Sequence, residues 1–123
     1  FEPLLKNSNK PKASFLSSTV ADEPRPFWGA YAVSKASLQH MVKIWSMENK
    51  NNNLSISIIN PGKTNTKMRK QAMPGENSNN LQKPKEVAEK IKDIIFSNKI
   101  YKGEVIDLIR FKLDQSSINT GSK

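Results

Sequence analysis

Leu54-Ser-Ile-Ser-Ile-Ile59 is a short strand-like run lying between the asparagines that end a long helical pattern and the turn Asn60-Pro61-Gly62. Its placement constrains the fold strongly, because strands that alternate with helical patterns build a parallel sheet covered by helices. Ala13-Ser-Phe-Leu-Ser17 supplies an earlier strand and Gly103-Glu-Val-Ile-Asp-Leu-Ile109 a later one. The helix between the first two runs from about residue 29 to residue 48. There Leu38, Met41, Val42 and Trp45, at i, i+3, i+4 and i+7, predict an apolar stripe, with Gln39, Lys43 and Ser46 off it. A second helix starts near Pro84, a residue suited to a first helical turn, with Val87, Ala88, Ile91, Ile94 and Ile95 as its apolar positions. The expectation is an α/β fold of about three parallel strands with flanking helices, connected by right-handed crossovers.

The connections carry their own signals. Residues 19–28 contain Pro24 and Pro26, so this stretch reads as an irregular loop leading from Ser18 towards the first helix. Residues 63–83 are polar, with Pro74-Gly75 and several asparagines, and read as a mobile connection. Residues 1–115 read as one unit and 116–123 as a polar tail.

Tyr31 and Lys35 stand four apart at the start of the long helix, and Ser17-Ser18 closes the first strand thirteen residues before the tyrosine. On a helix, positions i and i+4 share a face about 6 Å apart. A phenol ionises near pH 10, which makes it a weak acid or base at neutral pH, and a cation fixed beside it favours the charged form. The pair is a candidate proton-transfer site.

Serine, then Tyr-x-x-x-Lys, then a strand opening into Asn60-Pro61-Gly62-Lys63-Thr64-Asn65-Thr66 resembles the short-chain dehydrogenase/reductase family in both order and spacing. The resemblance implies a partial Rossmann-like, doubly wound fold and an NAD- or NADP-dependent oxidoreductase acting on a small carbonyl or alcohol substrate. Tyr31 would exchange a proton with the substrate oxygen. Lys35 would assist it and hydrogen-bond the nicotinamide ribose. Ser18, with Ser17 as fallback, would hold the substrate oxygen. Pro61 and Gly62 would pack beside the nicotinamide. Thr66, or more weakly Thr64, would contribute a hydroxyl near the carboxamide or pyrophosphate. The 63–83 segment would form the substrate lid, and the 29–48 helix would be a face for pairing with a second copy.

Other parts of the pattern are missing. No glycine-rich dinucleotide loop appears among the five glycines, and the family's asparagine before the serine strand has no counterpart. Phe1-Glu-Pro-Leu-Leu-Lys6 reads as the tail of a helix that begins upstream, so the expectation is the C-terminal, catalytic half of such an enzyme, a fragment inactive by itself. The stretch Ile109-Arg110-Phe111-Lys112 departs from the Gly-rich tail of many members.

Composition narrows the remaining classes. There is no cysteine, which removes disulfides and Cys-based metal sites and suits a cytoplasmic setting. His40 has no metal-ligating partner nearby in sequence, and Trp28 reads as packing or as a pocket border. No apolar stretch approaches membrane-spanning length. The formal charge is +9, and 17 of the 20 cationic residues are lysines. Scattered among asparagines and without clustered arginines or aromatics, they read as compositional bias and make nucleic acid an unlikely target. Three readings stand: an oxidoreductase fragment, an inactive gene remnant, and a basic binding module for an acidic partner such as a carrier protein or nucleic acid.

Overall fold

A computed structural model describes residues 1–111. Lys112 and the tail expected at 116–123 lie outside the described residues. The elements, in chain order, are α1 (Glu2–Lys6), β1 (Lys12–Leu16), a 3-10 turn (Thr19–Ala21), α2 (Gly29–Glu48), β2 (Ser55–Asn60), α3 (Lys67–Ala72), a second 3-10 turn (Ser78–Asn80), α4 (Pro84–Phe96) and β3 (Lys102–Asp107). The strands form one parallel sheet in the order β1-β2-β3.

β2 lies at the centre, and every one of its residues is buried. Its alternation feeds two cores. Ile56 and Ile58 face α2 with Val42 and Leu54, against the half-buried Leu5, Phe15, Leu38 and Trp45. Ile59 faces α4 with Val87, Ile94, Tyr101, Ile106 and Leu108. Each fully buried isoleucine contributes about 1.5–3 kcal/mol of transfer free energy. The polar residues of the strand are satisfied internally: Ser57 Oγ lies 2.8 Å from Ser14 Oγ, and Ser55 Oγ accepts from the Tyr101 N–H at 3.0 Å. α2 and α4 thus cover opposite faces of the sheet, the layering of a doubly wound fold. Because the strands follow one another in the order β1-β2-β3, two right-handed crossovers would have put both helices on one face, so the two crossovers have opposite hands and the expectation of uniformly right-handed connections does not hold.

Three further details depart from the sequence reading. In α2, Met41 is 61% exposed, whereas Gln39 and Ser46, which the stripe leaves out, are buried. The helix packs at an angle that brings its 39–42–46 line inward, and Ser46 sits where β3 passes close. There Gly103, at φ +85°, occupies an irregularity in the β2–β3 register, and a Cβ added to it would stand 3.0 Å from Ser46 Cβ. The 63–83 connection contains α3 and a 3-10 turn. Thr66 caps α3 by accepting the Arg69 N–H at 3.1 Å, and Arg69 pairs with Glu76 through two hydrogen bonds of 2.7 and 2.8 Å. Finally, β3 ends at Asp107, and Leu108 to Arg110 form a turn.

Candidate active site

β1 and β2 end at the same edge of the sheet, and their C-terminal extensions remain joined. The Ser17 N–H donates to Ile59 O at 2.8 Å, and Asn60 Nδ2 donates to Thr19 Oγ1 at 3.0 Å. Asn60 Oδ1 also accepts the Gly62 N–H at 3.1 Å, turning the chain sharply at Pro61-Gly62. The serine segment and the Pro-Gly turn therefore form one platform at the C-terminal end of the sheet, where ligands bind in open α/β folds.

The two serines have opposite surroundings. Ser17 is buried, and its Oγ accepts a hydrogen bond of 2.8 Å from Gln39 Nε2. Ser18 is half-buried in extended backbone, φ −152° and ψ 155°, and its side chain makes no capping bond with the 3-10 turn that follows. Successive side chains in extended backbone point to opposite sides. Of the pair, Ser18 has the uncommitted hydroxyl.

α2 places Tyr31 and Lys35 on one face, with Lys35 Nζ 5.8 Å from the centroid of the Tyr31 ring. The ammonium also donates to Leu16 O at 3.1 Å, the last carbonyl of β1. That bond uses one of its three donors and ties the first turns of α2 to the end of the serine strand. Trp28 packs edge-on against the half-buried Tyr31 with ring centroids 5.9 Å apart. No direct hydrogen bond joins Tyr31 to Ser18 or to Lys35 among the described residues.

The Pro61 to Thr66 turn is held by Gln82, a residue the sequence reading passes over. Gln82 Nε2 donates to Pro61 O at 2.8 Å, its N–H donates to Lys63 O at 3.2 Å, and its carbonyl accepts the Asn65 N–H at 2.9 Å. Lys90 secures Gln82 by donating to its Oε1 at 3.3 Å and to Leu108 O at 3.1 Å. The Thr64 hydroxyl donates to Gly62 O at 3.3 Å, whereas the Thr66 hydroxyl only accepts and keeps its own proton to give. Asn65 Oδ1 is buried without a hydrogen-bond partner.

Gln39 and Gln82 are the two groups that the sequence reading misses. Gln39 stands four residues beyond Lys35 and eight beyond Tyr31, on the same helical face, which is a legible signal. Gln82 has none, because its partners are backbone groups about twenty residues away in sequence. His40 is exposed, and no cluster of metal-ligating side chains occurs among the described residues. No helix among them is long and apolar enough to cross a membrane.

A parallel sheet with helices on both faces, and with a serine, a Tyr-x-x-x-Lys helix and a Pro-Gly turn at one edge, is the arrangement of a Rossmann-like α/β protein. The short chain dehydrogenase family matches residues 2–77, and the chain belongs to that family. It is 38% identical over 85 residues to YciK of Escherichia coli strain K12, described as an uncharacterized oxidoreductase, covering 69% of this chain and 33% of that protein. A short chain dehydrogenase from Salmonella enterica serovar Typhi CT18 superposes with a TM-score of 0.80 at 33% identity, over 85% of this chain and 44% of that one. A related structure from Escherichia coli CFT073, complexed with NADPH, gives a TM-score of 0.79 at 32% identity, over 86% and 44%. The chain thus spans a third of the length of the curated relative and less than half of these solved ones.

Proposed function

We propose that the platform is the proton-transfer side of a nicotinamide-dependent oxidoreductase site for a small carbonyl or alcohol. The observation that carries this reading is that Lys35 lies over the Tyr31 ring while donating to Leu16 O, which ties the helix bearing Tyr31 to the strand that leads into Ser18. Tyr31 gives a proton to the substrate oxygen in reduction and takes it back in oxidation. Ser18 donates a hydrogen bond to that same oxygen, the preorganised dipole that stabilises charge developing there. Lys35, with two donors remaining, holds positive charge beside the phenol and reaches the ribose hydroxyls.

The turn fits a dinucleotide in its donors and acceptors. Thr66 keeps a free hydroxyl proton for a carboxamide or pyrophosphate oxygen, and the orphaned Asn65 Oδ1 can take an amide N–H. Thr64 has already spent its proton on Gly62. Pro61 and Gly62 supply the backbone wall beside the ring. A nicotinamide dinucleotide, NAD(H) or NADP(H), would supply or accept the hydride at carbon when bound. The 63–83 segment covers the substrate. The fold described holds no glycine-rich phosphate turn, so turnover by the 123-residue chain alone is small or absent. The stripe of Val33, Met41 and Ile44 exposed on α2 pairs with a second copy.

The test joins this chain to the part of YciK that lies N-terminal to the matched region and follows oxidation of NADPH or NADH with a panel of ketones. Turnover by the fusion that falls about 10²–10⁴-fold in Tyr31→Phe, with binding of the cofactor retained, supports the reading. A folded, cofactor-binding fusion whose turnover is indifferent to Tyr31→Phe sinks it.

A further inference from the structure

The positive charge of this chain is not evenly spread. Residues 63–85 carry Lys63, Lys67, Arg69, Lys70, Lys83 and Lys85 against Glu76 alone, a net +5. Residues 1–62 carry seven cationic against four anionic side chains, and residues 86–111 five against five. The only acid of the basic segment is already neutralised from within, by the paired hydrogen bonds from Arg69. Lys67, Lys70, Lys83 and Lys85 are exposed and join no ion pair among the described residues.

This segment is also folded into one unit. Thr64 and Gln82 pair across its base, and Gln82 binds backbone on both sides of Thr64, so Lys63 and Lys83 emerge close together. Between them Met68 and Met73 are exposed beside Lys67 and Lys70. Methionine is a flexible, polarizable side chain suited to contacts with varied apolar partners. No aromatic residue lies between 63 and 85, so the surface lacks the stacking platforms that single-stranded nucleic acid uses.

We propose that residues 63–85 form a docking surface for an acidic protein segment that also carries apolar side chains. The lysines attract and orient its carboxylates, and Met68 and Met73 take its apolar side chains. Lys67 and Lys70 stand together on α3, and Lys83 and Lys85 together at the start of α4; two cationic pairs on two elements suit an extended acidic surface better than a single small anion. Docking here would bring the partner to the edge of the sheet that holds Ser18, Tyr31 and the Pro-Gly turn. The inference does not require turnover by this chain.

The experiment titrates the full chain with a fluorescein-labelled synthetic peptide of alternating glutamate and leucine pairs. Parallel arms use the same peptide with serine in place of leucine, and a labelled duplex DNA of random sequence. Expected is saturable binding of the first peptide that weakens with added salt, and weakens about tenfold or more in Lys67→Glu/Lys70→Glu/Lys85→Glu. Met68→Ser/Met73→Ser weakens it as well, while Lys10→Glu/Lys43→Glu/Lys50→Glu leaves it unchanged. Circular dichroism verifies that each variant is folded. Equal weakening in the two lysine triples, equal affinity for the serine peptide, tighter binding of DNA, or no saturable binding overturns the proposal. Because cofactor binding and turnover are measured on the fusion, the two readings fail separately.

Discussion

Gln39 Nε2 lies 2.8 Å from Ser17 Oγ, and this buried pair decides which serine faces outward at the end of β1. The same amide approaches Asp22 Oδ2 at 3.5 Å, so α2 grips the loop on both sides of Ser18. Replacing Gln39 by Leu leaves the Ser17 hydroxyl buried without its partner and should cost about 1–3 kcal/mol in urea unfolding. The register itself can be read chemically. The chain has no cysteine, so a substituted one is its sole thiol. Ser18→Cys should react readily with a small alkylating agent and Ser17→Cys slowly, with the slow site becoming fast in the Gln39→Leu background. Equal reactivity of the two thiols would refute the outward assignment of Ser18.

Arg69 and Glu76 give the 63–83 segment a response to acid. The hydrogen bonds from Arg69 hold the Glu76 carboxyl below the ordinary carboxylate range, with lesser help from the charges of Arg69 and Lys63 against some desolvation. A carboxyl whose folded value is depressed stabilises the fold above its unfolded value, and that contribution disappears as pH falls through the folded one. Backbone amides of residues 66–76 should therefore lose hydrogen-exchange protection, relative to the sheet, on acidification below about pH 4. Glu76→Gln should show reduced protection at neutral pH and little further change. An acid response unaltered in Glu76→Gln would place its origin elsewhere.

Much of the fold was legible because its signals are local. The bounds of α2, the Pro84 start of α4 and the central strand follow from periodicity and turn residues near each element. What escaped depends on packing angle and distant backbone. Met41 fits a 3.6-residue stripe as well as Ser46 does not, yet the close passage of Gly103 selects Ser46 for burial. α3 escaped because its six residues are held by the Thr66 cap and the Arg69–Glu76 pair rather than by an apolar face. In the candidate site, Tyr31, Lys35 and Ser18 were visible as a spaced pattern. Gln82 was not, since it acts through the carbonyls of Pro61 and Lys63.

Lys102 ties the end of α2 to the turn before β2 and offers an accessible test of that corner of the sheet. Its ammonium donates to Asn49 O at 3.0 Å, Asn52 O at 2.8 Å and Leu54 O at 2.9 Å, joining the C-cap of α2 to the turn that leads into β2. All three donors of the side chain are used, and a cation at that end also complements the helix dipole. Lys102→Met should lower unfolding free energy by about 1.5–3 kcal/mol, while Lys50→Met, an exposed lysine whose ammonium makes no such bonds, should change it little. A similar loss in both variants would show that general charge, not capping, is responsible.

Gly62 is the position at which the candidate site is least tolerant of a single methyl. Its φ of +74° lies where L side chains are strained, and a Cβ there would stand 2.6 Å from Ile109 Cδ1, 2.9 Å from Ile109 Cγ1 and 3.1 Å from Gln82 Nε2. Two separable penalties follow. The backbone strain costs about 1–2 kcal/mol whatever the neighbours do. The contact with Ile109 adds to it, but that side chain is 63% exposed and its removal opens space at little cost elsewhere. Gly62→Ala should therefore destabilise the chain, and Ile109→Ala should restore part of the loss while leaving the backbone component. The displaced Gln82 amide would also release Pro61 O, so in the YciK fusion Gly62→Ala should raise the cofactor KM more than it lowers kcat. Full recovery of stability in the double variant would mean that the left-handed backbone carries no cost, and that the glycine is required there only for room.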